Sequence, residues 1–157
     1  MTLNDFIHAP SLTAVLKQNA AAFSVRPVFA DITHMLPEEK PYFADISTVY
    51  AREVLLCLDS TPVVAARSIC PPDDAYWRNI LDCGTQSLGF RLFDGKTEWF
   101  RSDFVMVNQH SLLKQRFSRL PEHMIALRTS LFEYQQQKLL LAECFLPTLK
   151  QFGFQAA

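Results

Sequence analysis

The sequence contains little glycine, no long hydrophobic run and no excess of basic residues. Only four glycines occur in 157 residues, and the single glycine of "SLGF" at positions 87–90 cannot form a glycine-rich phosphate loop. No apolar stretch approaches the roughly 18 residues that a membrane-spanning helix needs. The N-terminus also lacks the basic segment and apolar run of a signal peptide. We therefore expect a cytoplasmic protein with no membrane span and no nucleotide-phosphate loop.

The charge balance argues against a nucleic-acid partner. Fifteen Lys and Arg side chains are balanced by 16 Asp and Glu side chains, which gives a formal net charge of -1. A polyanion requires a strongly basic surface that this total does not indicate. A small anion needs only one or two arginines in a pocket, so the composition remains compatible with a small acidic ligand.

The cysteines and histidines show no metal-binding spacing. The four cysteines contain no CxxC pair, and the four histidines form neither an HxH nor an HxxxH pair. Free cysteines in apolar runs behave as small hydrophobic residues. We predict no metal site, no cofactor and four buried, reduced thiols, namely Cys57, Cys70, Cys83 and Cys144.

The composition is that of a folded domain. Hydrophobic residues make up 49% of the chain, and 13 of the 157 residues are phenylalanine. This places the chain on the folded side of the boundary with disordered sequences. The length suits one hydrophobic core, so we predict a single domain over residues 1–157, with a monomer as the default state.

Periodicity predicts an α+β domain built on an antiparallel sheet. Helical spacing predicts a helix over 10–23 with Ser11 as its N-cap, and a second helix is predicted over 71–84. Strands are predicted at 24–36, with Pro27 at an edge or a bulge, and at 97–109. A short helix or irregular segment is predicted at 110–121. Hairpins are predicted across residues 59–61 and across "QQQ" at 135–137. The order of these elements predicts about six antiparallel strands with flanking helices.

Two arginines interrupt the otherwise apolar strands of the first predicted hairpin, "AREVLLCLDSTPVVAARSICP" at residues 51–71. Successive strand residues point to opposite faces of a sheet. A turn centred on Ser60 and Thr61 would place Arg52 and Arg67 on the same face as diagonal neighbours. Glu143 is a third charged residue, and it lies in the apolar run "KLLLAECFLP" at 138–147.

These charged residues allow two interpretations. A buried charge is costly unless it is paired or meets a ligand. Arg52 or Arg67 could form an internal ion pair with Glu143 or Glu53, or the face could be solvated. Alternatively, the residues line an anion pocket in which a guanidinium binds a carboxylate and a carboxyl group handles a proton.

Four segments in order carry a resemblance to a known family. The segments "REVLLC", "AARSICP", "SLGFRLF" and "KLLLAECFLP" resemble those of bacterial chorismate pyruvate-lyase, over about residues 10–148. The resemblance implies an antiparallel sheet with flanking helices that encloses a ligand pocket. It also implies conversion of chorismate to 4-hydroxybenzoate and pyruvate, the first step of ubiquinone biosynthesis, without a metal or an organic cofactor.

The resemblance also implies roles for individual residues. By this match Arg52 would hold a substrate carboxylate, and Leu88 would contribute a backbone contact. Glu143 would protonate the departing enolpyruvyl unit or hold the ring hydroxyl, so Arg52 and Glu143 are the implied catalytic residues. Arg67 or Arg91 would assist with the second carboxylate. The implied substrate-binding residues are Leu12, Arg52, Arg67, Leu88, Arg91 and Glu143.

The sequence departs from the family pattern at several positions. Leu12 replaces a pocket methionine, Ser87 replaces a proline before Leu-Gly, and an arginine moves by one position to Arg91. The segment 106–122 lacks a glycine- and arginine-rich stretch. The alternative function is therefore a non-catalytic module that binds a small aromatic carboxylate, similar to the effector domains of some transcription regulators. No helix-turn-helix segment precedes residue 10, so we do not expect a whole regulator. A purely structural or partner-binding protein is a further alternative.

Overall fold

An antiparallel sheet dominates the computed structural model, which describes residues 1–92, 100–103, 105–107 and 125–155. Its strands follow the order β1-β2-β3-β7-β6-β4, and β5 pairs with β6 beside β4. Their bounds are β1 (Phe23–His34), β2 (Thr48–Leu58), β3 (Thr61–Cys70), β4 (Phe100–Arg101), β5 (Val105–Val107), β6 (Ala126–Tyr134) and β7 (Gln137–Phe145). The prediction of an α+β domain with about six antiparallel strands is confirmed.

Helices cover one face of this sheet, and a 3₁₀ helix covers part of the other. The helices are α1 (Leu3–Ile7), α2 (Leu12–Lys17), α3 (Ala75–Leu81) and α4 (Leu88–Leu92), and the 3₁₀ helices are Pro37–Tyr42 and Pro147–Phe152. The main core packs the apolar faces of all four α-helices against the sheet. Met35 and Phe43 flank the first 3₁₀ helix and pack against Val49 and Ala51 on the opposite face. Both faces of the central strands are therefore buried.

Capping and turn residues explain several element boundaries. The Ser11 side chain accepts a hydrogen bond from the backbone N–H of Ala14, which confirms the predicted N-cap of α2. Asp74 caps α3 in the same way. Pro27 lies at a register irregularity in β1, which is an edge strand, so the prediction of an edge or bulge is confirmed.

Other boundaries differ from those predicted. The helix expected over 10–23 ends at Lys17, and the strand expected over 97–109 contains two short strands, β4 and β5. Pro37–Tyr42 forms a 3₁₀ helix, an element that was not predicted. The helix α1 and the 3₁₀ helix Pro147–Phe152 were not predicted, because each has only one or two turns, too few for a helical period to be recognised. The segment predicted at 110–121 lies outside the described residues.

The turn between β2 and β3 is shorter than predicted. Asp59 and Ser60 alone form it, with φ angles of 47° and 64°, as in the two-residue turns that suit the twist of a hairpin. The Asp59 side chain accepts a hydrogen bond from the backbone N–H of Ala22, which fixes the turn against the start of β1. Leu58 then pairs with Thr61, and a register irregularity follows at Leu56/Cys57.

This register corrects the prediction that two arginines share a face. Arg52 pairs with Ser68, whereas Arg67 pairs with Glu53. Directly opposite residues point to the same side of a sheet, so Arg52 and Arg67 lie on opposite faces. The shorter turn and the register irregularity together shift the pairing of β2 and β3 by one residue from the predicted register. A shift of one residue is sufficient to place Arg67 on the opposite face from the one predicted.

The remaining sequence predictions concern thiols and membrane spans. All four cysteines are buried and free, as predicted. Within the described residues, no helix is long and apolar enough to cross a membrane.

Candidate active site

A cleft lies between the sheet and the helices α2 and α4, and its empty space of about 500 Å³ includes volume open to solvent. A largely apolar lining with a few charged groups is typical of small-molecule sites. The sheet contributes residues from β2, β3, β7, β6 and β4, while the helical side contributes residues 10–13 and 87–89. The charged lining residues, within the part of the chain that the structure describes, are Arg52, Arg101 and Glu143.

Arg52 is a buried cation in the lining of the cleft. It lies in β2 with only 4% of its surface exposed. Its Nη2 donates to the backbone carbonyls of Gly84 at 3.1 Å and Gln86 at 2.9 Å. Burial lowers the pKa of Arg52, against the opposing influence of Cys83 and Tyr50.

No carboxylate forms an ion pair with Arg52 among the described residues. Two carbonyl dipoles orient its guanidinium without neutralising the charge. Ser68 lies directly opposite on β3 and also lines the cleft, so the surrounding surface adds a small polar side chain but no counter-charge. The arrangement suits an anionic ligand.

Glu143 lies on the same face of the sheet and also lines the cleft. It pairs with Ala66 of β3 on one side and with Arg128 of β6 on the other. Arg128 is fully buried, and its Nε donates to Glu143 Oε1 at 2.8 Å. The same guanidinium donates to the carbonyls of Ile7 at 2.5 Å and Ala9 at 2.9 Å. One oxygen of Glu143 is thus held by Arg128, which also fixes the link between α1 and α2.

Arg101 is a second arginine in the wall of the cleft. It pairs with Phe132 across β4 and β6, and its guanidinium carbon lies 5.0 Å from the centre of the Phe132 ring. Its Nη1 donates to the carbonyl of Pro10 at 2.6 Å. Burial lowers the pKa of Arg101 to about 10, with Arg128 adding to the effect and Glu143 opposing it.

The helical wall of the cleft is formed by the starts of α2 and α4. Leu12 and Leu88 are the first residues of these helices, and both are buried and line the cleft. The helices touch closely at Gly89, where an added Cβ would lie 2.9 Å from the Oγ1 of Thr13. Ser87, at the position of the expected proline, is also buried in this wall.

Two arginines expected to bind substrate lie away from the cleft. Arg67 is on the opposite face, where Nε and Nη2 donate to the two Glu39 carboxylate oxygens at 2.8 and 2.9 Å. Glu53 lies 3.4 Å from Nη1 of the same guanidinium, so the internal ion-pair interpretation is confirmed for Arg67. Burial alone would lower the pKa of Arg67, but these bonds and charges raise it. Arg91 donates to Asn79 at 3.3 Å and does not line the cleft.

The sequence analysis missed Arg101 and Arg128. Arg101 lies in a strand of two residues, too short for a pattern of alternation to indicate its face. Arg128 could have been found, because it alternates with Ser130 and Phe132 on a strand predicted to pair with that of Glu143. Within the described residues, no group of three or more His, Cys, Asp or Glu side chains could hold a metal ion.

Comparison with known sequences places this geometry in context. The family model described as chorismate lyase matches residues 3–154. A protein of Shewanella loihica named "Probable chorismate pyruvate-lyase" is 32% identical over 149 residues, which are 90% of this chain and 77% of that protein. One of the same name from Nitrosomonas eutropha is 31% identical, covering 92% of this chain and 86% of that protein.

Solved structures share the fold at much lower identity. The effector domain of PhnF from Mycobacterium smegmatis matches with a TM-score of 0.59 and 11% identity, over 94% of this chain and 93% of that chain. The C-terminal domain of a histidine utilization repressor from Pseudomonas syringae matches with a TM-score of 0.53 and 9% identity, over 81% of this chain and 93% of that chain. These matches support the fold alone.

Proposed function

This chain belongs to the chorismate lyase family, and on that premise we propose that it eliminates pyruvate from chorismate to give 4-hydroxybenzoate. The observation that carries the proposal is the buried Arg52 guanidinium, which borders the cleft with no carboxylate partner among the described residues. A dicarboxylate substrate would supply the missing counter-charge. We place the reaction in the cytoplasm, which agrees with four free thiols, and at the start of ubiquinone biosynthesis.

Arg52 would hold the ring carboxylate. Its two bonds to carbonyl groups, both made by Nη2, fix the orientation of the guanidinium, and Nη1 and Nε would donate to the ligand. The backbone N–H of Leu88 would be a second donor, since the first residue of a helix has no acceptor within that helix. Leu12 and the other apolar lining residues would contact the ring.

The elimination itself needs few protein groups. The bond between the ring and the enolpyruvyl oxygen breaks, the ring carbon that bears the hydroxyl loses its proton, and the ring becomes aromatic. The departing enolpyruvate then gains a proton on its methylene carbon and becomes pyruvate. Because aromatisation favours the reaction, the protein mainly has to orient the substrate and stabilise developing charge.

Glu143 contributes to the cleft a carboxyl group that could take part in proton transfer. Arg128 holds its Oε1, which leaves Oε2 to contact the ring hydroxyl or the proton that moves. We therefore assign Glu143 the role of holding the ring hydroxyl and assisting proton transfer. No metal or organic cofactor enters this scheme.

The experiment is a turnover assay with chorismate in the presence of a metal chelator. Formation of 4-hydroxybenzoate is followed by absorbance and chromatography. Arg52→Ala and Glu143→Gln should reduce turnover by about 100-fold or more, the range for loss of a charged group that acts in a transition state. Arg26→Ala and Glu133→Gln are matched controls outside the cleft lining and should keep near-normal rates. Variants of Arg52 or Glu143 with normal turnover would refute the assignments.

The alternative function is non-catalytic binding of a small aromatic carboxylate. The replacements at Leu12 and Ser87 line the cleft and so bear on this alternative. Tight binding of 4-hydroxybenzoate with no product from chorismate would favour it. If the protein neither binds 4-hydroxybenzoate nor turns over chorismate, both functions are refuted, and only the fold is shared with the family. The monomeric state stays a prediction, which size-exclusion chromatography with light scattering would test.

A further inference from the structure

The strand β3 forms the part of the cleft that lies between Arg52 and Glu143. Arg52 is on β2 and Glu143 is on β7, and these strands flank β3 on its two sides. Arg52 pairs with Ser68, and Glu143 pairs with Ala66. Ser68 and Ala66 are two residues apart, so they point to the same side of β3, and both line the cleft. A ligand that contacts both Arg52 and Glu143 therefore passes over these two side chains.

The two side chains of β3 are small, and larger ones stand on both sides of them. Val54 of β2 lies directly opposite Ala66, and Leu141 of β7 lies directly opposite Ser68. Val54 and Leu141 also line the cleft. The sheet thus forms a trough along β3 between two higher rows of side chains. A flat ring can enter this trough because serine and alanine leave the space above β3 open.

Ser68 places a hydroxyl group in this trough at the end that Arg52 occupies. Ser68 is only 2% exposed, and no hydrogen bond of its side chain is found among the described residues. A buried hydroxyl without a partner is unfavourable, and the neighbouring Ala66 shows that a smaller apolar residue suits the same strand. Directly opposite residues have Cβ atoms about 4.5–5.5 Å apart, so the hydroxyl lies close to any group that Arg52 binds.

We propose that Ser68 is a substrate-binding residue, whose hydroxyl donates a hydrogen bond to the ring carboxylate that Arg52 holds. This inference rests on the proposed function. The ring then lies across β3, with its carboxylate over Ser68 and its hydroxyl toward Glu143, beside Ala66. Ser68 adds a donor at the carboxylate end of the trough, whereas the floor beside Glu143 is apolar. This difference favours one of the two ways in which the ring could enter.

The test compares two ligands in one set of variants. The ligands are 4-hydroxybenzoate and benzoate, and benzoate reports the carboxylate end alone because it lacks the ring hydroxyl. Titration calorimetry gives both dissociation constants for the wild-type protein, Ser68→Ala and Ser130→Ala. Ser130 is the matched control, because it is also a serine 2% exposed and pairs with Leu141 from the other side, on β6. It does not line the cleft.

Ser68→Ala should weaken both ligands by about 10- to 100-fold, the range for a hydrogen bond to a charged group. Ser130→Ala should change neither dissociation constant by more than about 2-fold. The Tm of the ligand-free Ser68→Ala protein should be equal to that of the wild type or higher, because no hydrogen bond within the protein is lost. Ser68→Cys keeps the size of the side chain with a weaker donor, so it should show a smaller loss. It decides the case if Ser68→Ala does not fold.

The outcomes separate this inference from the proposed function. Weakening of 4-hydroxybenzoate alone would place Ser68 at the hydroxyl end of the ring and overturn the inference. Unchanged binding of both ligands in Ser68→Ala, an equal loss in Ser130→Ala, or a wild-type protein that binds neither ligand would also overturn it. A protein that binds both ligands through Ser68 but does not turn over chorismate would retain the inference and refute the lyase activity.

Discussion

Arg52 and Arg67 should respond in opposite ways to the same substitution. They lie one strand apart and are equally buried, at 4% and 2% exposed. Arg67 forms ion pairs with the buried carboxylates of Glu39 and Glu53, whereas the hydrogen bonds of Arg52 in the described residues go to backbone carbonyls. Replacing each by Met keeps much of the buried volume while removing the charge. The comparison therefore separates a stabilising arginine from a ligand-binding arginine.

The magnitudes follow from what each substitution leaves behind. Arg67→Met removes the guanidinium shared by two carboxylates, and breaking a buried ion pair costs about 3–5 kcal/mol. For a domain of this size, that cost lowers Tm by about 6–20 °C. Arg52→Met removes the hydrogen-bond donor of the carbonyls of Gly84 and Gln86. Both residues are exposed, so water can replace that donor. Its free energy of unfolding should change by less than about 1 kcal/mol.

Urea denaturation followed by circular dichroism measures the stability, and calorimetry with 4-hydroxybenzoate measures binding. We expect Arg52→Met to remain folded and to lose ligand affinity by at least about 10-fold, as for loss of a charge-assisted hydrogen bond. A loss of stability equal to that of Arg67→Met would show that Arg52 is structural. Normal ligand affinity in Arg52→Met would refute its assignment as the carboxylate-binding residue.

Three further predictions concern the surroundings of the cleft. Arg128→Gln should lower the free energy of unfolding by about 3–5 kcal/mol, because Glu143 loses its buried guanidinium; a loss below about 1 kcal/mol in urea would contradict this. Gly89→Ala should cost about 1–3 kcal/mol and slow turnover, since its Cβ would lie 2.9 Å from a hydroxyl oxygen of α2; unchanged kinetics would refute the close contact. Burial raises the pKa of Cys70 and Cys144 from 9.0 to about 12. Their contribution to stability is full below pH 9.0 and is lost as the pH rises toward about 12, because the unfolded chain ionises first. A double Cys→Ala variant should flatten this decline in urea titrations, and an equal decline in both proteins would contradict the prediction.

Local patterns were sufficient for most of the fold. Apolar runs separated by turn residues predicted the strands β2, β3 and β7, and Ser11 marked the start of α2. These features depend on residues close together in the chain, whose spacing directly reports the period of the element. The predicted sheet and its flanking helices followed from the order of those elements.

The register of the first hairpin could not be predicted from the same patterns. A two-residue turn with positive φ at Asp59 and Ser60 is favoured by asparagine and glycine, neither of which is present there. The irregularity at Leu56/Cys57 leaves no signal in the apolar run. Because the side-chain period of a strand is two, this difference of one residue decided whether Arg67 lay in the cleft or on the opposite face.

The sequence by itself determined which segments form the main strands and which charges lie within apolar segments. Tertiary structure decided how those charges are partnered. Arg67 meets Glu39 of the 3₁₀ helix Pro37–Tyr42, Glu143 meets Arg128 from a neighbouring strand, and Arg101 enters the cleft from β4. Each of these relations joins residues far apart in the chain, and periodicity within one element carries no information about them. The charge that a ligand must neutralise is therefore a property of the folded sheet.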